Sequence, residues 1–175
     1  LVRFGRWDEL IAEPLPIDPE LYSTTTATIH YGRGVAHAAK GELTRARAEQ
    51  AAFATAYARI PDSRYLFNNT SLDILAVAAA MLDGEIAYRE GDFDSAFAHL
   101  RRAIALDDAL PYDEPWGWMQ PTRHAYGALL LEQGRVDEAA AVYAADLGLD
   151  PTVNRSSHHP NNVWSLHGYH ECLLR

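Results

Sequence analysis

The chain has 175 residues, 48% of them hydrophobic, and a formal net charge of −9, enough for one domain with a substantial core. The acidity argues against nucleic acid and acidic membrane surfaces as partners, and no apolar run approaches the roughly 18 residues of a membrane span. Cys172 is the single cysteine; it excludes an internal disulfide and fits a reducing compartment, so the expected location is cytoplasmic.

Residues 1–13 carry Trp7, Leu10 and Ile11 and read as the second helix of a pair whose first helix is missing. Pro14, Pro16 and Pro19 forbid helix and predict an extended connector. The first full pair spans 21–39 and 43–60, with Leu43, Ala46, Gln50, Phe53 and Tyr57 facing inward; the polar Gln50 calls for an edge position or a hydrogen bond. Residues 61–71 form a long insertion, and Ser71 is suited to cap the helix that follows. In that helix Leu75, Ala79, Leu82 and Ile86 recur at i, i+4, i+7 and i+11, one apolar stripe. Gly91 breaks it, Asp92 is the predicted N-cap of the next, and Phe93, Phe97, Leu100 and Ile104 make the second stripe. A second insertion covers 111–121, with Thr122 as the expected cap of a helix over 123–133. Its partner, 136–149, presents Val136, Ala140, Tyr143 and Leu147. A third insertion, 151–161, precedes a last unpaired helix over 163–175.

The punctuation repeats. Gly91-Asp92-Phe93 with Ala96 and Leu100 is matched by Gly134-Arg135-Val136 with Ala139 and Tyr143, by Gly41-Glu42-Leu43 with Ala46, and in truncated form by Gly5-Arg6-Trp7 with Leu10. Seven residues before each complete hinge stands another glycine, Gly34, Gly84 or Gly127. Each admits close approach of the second helix at a propensity cost of about 1 kcal/mol. A small residue, a hinge glycine seven positions on and an alanine five further resemble the tetratricopeptide repeat, a stacked pair of helices. The resemblance implies an all-α fold: a single-domain α-solenoid of antiparallel helix pairs at 21–60, 72–110 and 122–151, with a truncated repeat at 1–13 and a half-repeat at 162–175. Two departures stand out. His30, Ala80 and Arg123 replace the family's tryptophan, and the hinges are spaced more widely than the family's 34 residues. The YDEP…GW…P and NNVWSLHG stretches resemble the C-terminal part of larger bacterial proteins of this family. The start in mid-repeat without methionine fits a fragment of one, and the scarcity of lysine (Lys40 alone) beside abundant arginine and alanine fits a GC-rich bacterial genome.

The resemblance implies a scaffold that binds a protein or peptide rather than an enzyme, through a groove whose register positions include Tyr31, Val35, Met81, Glu85, Tyr88, Arg89, His124, Ala128 and Glu132. All three insertions fall between one pair and the next, so a solenoid stacks them on one edge. That stacking brings Arg64, Tyr65, Asn68, Asn69, Trp116, Trp118, Met119, His158, His159 and Asn162 within reach of one another. Trp116 and Trp118, on a proline-framed loop, read either as a contact surface or as plugs of the lengthened linker. Arg123 and His124 open a helix where amides attract an anion; Arg123 has Asp113 and Glu114 as alternative partners.

A second reading places a metal or small-molecule site on the loop edge, with a metal-dependent enzyme as its furthest extension. His167 and Glu171 lie at i, i+4 and His167 and His170 at i, i+3, with His158 or His159 as a further ligand for a divalent transition metal. The bland alternative is a set of exposed polar residues, and no other cofactor is expected. His30 and His37 share a helix face about 10 Å apart, too far for one ion, and a core role with one hydrogen bond suits His30. Phosphate-loop, nucleophile-elbow and Cys-x-x-Cys motifs are absent. Self-association through the end helices is a third possibility, since Trp7, Leu10, Trp164, Leu166 and Leu173 lack evident partners.

Overall fold

The computed structural model describes residues 1–175. It contains eight helices: α1 (Trp7–Ala12), α2 (Ser23–Ala39), α3 (Leu43–Tyr57), α4 (Ser71–Arg89), α5 (Phe93–Asp108), α6 (Thr122–Glu132), α7 (Val136–Asp146) and α8 (Val163–Leu174). A small hairpin, β1 (Tyr65–Leu66) with β2 (Asn69–Thr70), interrupts the first insertion. Helices α2/α3, α4/α5 and α6/α7 pack as pairs, α2 rests on α4, and α8 rests on α7 and α6. This is the all-α stack of helical pairs that the repeat predicts. None of the helices is long and apolar enough to cross a membrane.

The hinges are built identically. Gly41, Gly91 and Gly134 sit at φ 76°, 85° and 71°, a left-handed conformation that costs glycine little. At each, the glycine amide bonds the carbonyl three residues back (Ala38, Tyr88, Leu131) and the next amide bonds the carbonyl five back (His37, Ala87, Leu130), at 2.8–3.0 Å. This double closure satisfies carbonyls that a helix end leaves free. Gly148, at φ 78°, closes α7 in the same way, so that helix stops at Asp146 and does not run on to 149.

Capping follows the sequence at Asp92, whose Oδ1 accepts the Ser95 amide at 3.2 Å. It departs elsewhere. Thr70, not Ser71, caps α4 by accepting the Asp73 amide at 3.0 Å, because β2 holds Thr70 extended (ψ 147°) at the helix entrance. Thr122 lies inside α6 and uses its hydroxyl elsewhere (below).

The core runs unbroken through the pairs, with Leu75, Leu82, Ile86, Phe97, Leu100 and Leu130 almost fully buried. A Cβ added at Gly84 would stand 2.8 Å from Leu100 on α5, and one at Gly127 2.7 Å from Tyr143 on α7, the close approach expected. At Gly34 the nearest atom belongs instead to Leu82 of α4. That glycine serves packing between successive pairs, not within its own. The ends are less bare than expected. Leu10 packs over Gly32, Trp7 and Leu10 are half-buried, and Phe4 meets Trp164 edge-on at 6.1 Å; Leu166 and Leu173 stay exposed.

Candidate ligand groove and loop edge

The insertions do stack on one edge. The carboxylate of Asp113 accepts the Asn68 backbone amide at 3.2 Å and Asn69 Nδ2 at 2.6 Å, and the two asparagine side chains also bond the Tyr112 and Pro111 carbonyls. These contacts fasten the hairpin to the second insertion. The second meets the third where the edge of Trp116 packs on His159, centroids 4.5 Å apart. Trp118 turns inward, 9% exposed, and packs edge-on against Tyr31 at 5.3 Å. It plugs the linker, whereas Trp116, Tyr112 and Met119 remain exposed.

Beneath this edge lies a hub absent from the sequence reading. Asp146, at the end of α7, is completely buried. Its carboxylate accepts His124 Nε2–H at 2.9 Å, His159 Nδ1–H at 2.8 Å and the Ser165 hydroxyl at 2.5 Å, while its carbonyl accepts the His159 amide at 2.6 Å. One side chain thus joins α6, α7, the third insertion and α8. Burial opposes its charge, but the donors from His124, His159 and Ser165 outweigh burial and hold its carboxyl well below the usual carboxylate range.

Two further aspartates brace α6. Arg123 is buried in a bidentate pair with Asp108, both contacts 2.7 Å; this replaces the expected pairing with Asp113 or Glu114, because α5 runs alongside the start of α6. Asp107 Oδ2 accepts the Thr122 hydroxyl at 3.0 Å and faces its amide at 3.5 Å. A carboxylate of the chain therefore stands where an external anion was expected. Burial pushes the Asp107 carboxyl up to about 6, against the pull of the Thr122 donors.

The groove lies between the first helices of the pairs. A cavity of about 570 Å³ is lined by Met81 of α4, by His124, Ala128 and Glu132 of α6, and by Trp164, His167 and Glu171 of α8, with Val2 and Arg3 at one end. Its floor is apolar (Met81, Ala125, Leu131, Tyr143) and its rim carries both signs of charge. Gly168, the counterpart on α8 of Gly127, lets Tyr143 form that floor: an added Cβ would stand 2.3 Å from the Tyr143 ring.

Of the predicted groove positions, Met81, His124, Ala128 and Glu132 line this cavity. Tyr31 and Val35 are buried further along the stack. Tyr88 is also buried, against Phe93 and Phe97, with its hydroxyl accepting Gln133 Nε2 at 2.7 Å. Arg89 pairs with Glu85 at 2.9 Å on the surface. The five metal candidates do not gather at one point. His158 donates to the Val153 carbonyl, His159 is held by Asp146, His167 and Glu171 face the groove with Glu171 bonded to Arg175, and His170 is exposed. No three His, Cys, Asp or Glu side chains converge to hold an ion. His30 and His37 are engaged separately, by Glu49 at 2.5 Å and Glu42 at 2.7 Å. Gln50 makes its hydrogen bonds, to Asp83 and Arg47. The residues that sequence reasoning missed are Arg3, Asp146, Ser165 and Gly168.

Identically built hinges and stacked helix pairs define a helical-repeat scaffold. Residues 70–114, which hold α4, α5 and their hinge, match the family described as Tetratricopeptide repeat. Repeats of this family generally mediate protein–protein interaction. No curated protein and no solved structure matches the chain.

Proposed function

We propose that the chain is a peptide-binding scaffold that holds an extended or helical segment of a partner protein along the groove between α4, α6 and α8. The supporting observation is the roughly 570 Å³ cavity on the face formed by the first helices, with an apolar floor and a rim carrying Arg3, Glu132, His167, Glu171 and Arg175. A floor of that kind takes apolar anchor side chains, and a mixed rim sets direction and selectivity. Glu132 is exposed at this rim, where it can meet a cationic group of the ligand. The loop edge is the weaker candidate, because the Asp113 carboxylate and the Asn68 and Asn69 side-chain amides are engaged within it.

The test is selection of binders from a random peptide library, followed by measurement of each on the Ala128→Arg variant. Ala128 is exposed on α6 and lines the groove, so an arginine there blocks the cavity without entering the core. The expected result is binders lost in the variant while its thermal melt is unchanged. Binders that the variant retains, or a library that yields none, would overturn the proposal.

A further inference from the structure

One end of the groove already holds a peptide, and that peptide is the chain itself. The turn Val2–Phe4 packs against α2 on one side and reaches α6 and α8 on the other. Val2 is half-buried against the core and lines the cavity. Arg3 donates from Nη1 to His124 Nδ1 at 3.1 Å, and its guanidinium lies 5.5 Å from the centre of the Trp164 ring, within cation–π range. Phe4 adds its edge to the same tryptophan at 6.1 Å while staying 71% exposed at the rim.

The receiving surface offers the guanidinium an acceptor and an aromatic face. His124 Nε2–H is committed to Asp146, which leaves Nδ1 as an acceptor aimed at the guanidinium. Burial lowers the Arg3 pKa, and the attraction of the buried Asp146 carboxylate behind His124 opposes part of that desolvation. A planar donor fits this acceptor-plus-aromatic pair better than an ammonium does.

We infer that the α6–α8 end of the groove recognises partner segments of the pattern apolar–arginine–aromatic, and that residues 2–4 are an internal competitor for that site. The inference rests on the peptide-groove reading and names its ligand. A tethered segment acts at an effective concentration on the order of millimolar. A partner bearing the same pattern must therefore add contacts to Met81, Ala128 and Glu132 to displace it.

The test uses a fluorescent peptide of residues 1–6 (LVRFGR) and a control in which the first of its two arginines, the counterpart of Arg3, is replaced by glutamate. Both are titrated by polarisation against the full chain and against an Arg3→Ala/Phe4→Ala variant, with a melt to check folding. The variant is expected to bind LVRFGR at least about tenfold more tightly than the unaltered chain, to ignore the control, and to lose binding when Trp164→Ala is added. Equal binding to both proteins, or none to the variant, overturns the inference. If library peptides of other patterns still bind the groove, only the inference falls; if no peptide binds, the groove reading falls with it.

Discussion

Replacing Asp146 by asparagine tests whether the buried hub holds the last repeat together. The carboxylate receives two imidazole N–H groups and one hydroxyl in a site without solvent contact. Asparagine preserves the shape but keeps one acceptor oxygen and turns a donor NH₂ toward groups that are themselves donors. Hydrogen bonds to a charged group contribute about 1.5–3 kcal/mol each, and breaking a buried charged pair costs about 3–5 kcal/mol. One retained acceptor lowers that figure, so a loss of about 3 kcal/mol is expected. For a chain of this size it lowers the melting temperature by about 6–12 °C. The pH dependence supplies a second readout. The folded carboxyl titrates below its unfolded counterpart, so the folded state holds fewer protons. The resulting stability is fully present above about pH 4 and is lost as pH falls toward the folded value. Urea denaturation of both proteins at pH 7 and at steps below pH 4 should show the wild type losing stability on acidification by more than the variant. A loss under about 1 kcal/mol at pH 7 with the acid limb unchanged would refute the reasoning.

Asp107 should behave in the opposite sense. Its folded carboxyl is pushed up to about 6 by burial, above the unfolded value of about 3.9, so it lowers stability as pH rises from about 4 through 6. Asp107→Asn, which keeps an acceptor for Thr122, should raise stability at pH 7 by up to about 2 kcal/mol and have no effect near pH 4; an equal change at both pH values in a melt would refute this. Gly168→Ala should lower stability by about 1–2 kcal/mol despite the better helix former. The new Cβ meets a Tyr143 ring already pressed on Gly127, and overpacking outweighs propensity; a melting temperature that rises would show the ring has room to move.

The helical frame was legible because its signals are local. A glycine that must adopt positive φ marks a hinge, and the stripe through Leu75, Leu82 and Ile86 marks the buried face, each within a few residues. The stacking of the insertions was legible for the same reason: equal positions in a repeat become neighbours in space. The hub was not. His124, His159 and Ser165 lie 22, 13 and 19 residues from Asp146, and nothing local distinguishes an aspartate at a helix end from an exposed one. The available signal was its spacing, three residues after the inward Tyr143, which puts a carboxylate on the buried side next to a histidine-rich insertion. The bland reading of the C-terminal histidines overlooked that neighbour. Thr70 was missed because the hairpin that positions it rests on Asp113, 43 residues further along the chain.

The lengthened connections explain why the groove rather than the loop edge is the place for a ligand. Between successive pairs the chain adds insertions that a regular repeat lacks, and apolar packing alone does not fix where they lie. Each insertion is instead pinned by an aspartate received on a neighbouring segment. Asp113 takes the hairpin asparagines, Asp107 and Asp108 take Thr122 and Arg123, and Asp146 takes His124, His159 and Ser165. Asp113 and Asp146 are buried and costly to leave unpaired, so the edge cannot give these two to a ligand without loosening the stack. On the groove face, His124 alone among the lining residues is tied to one of these aspartates. Its apolar floor is supplied by side chains that the core already orders, and its contact between Arg3 and His124 belongs to a turn of only three residues.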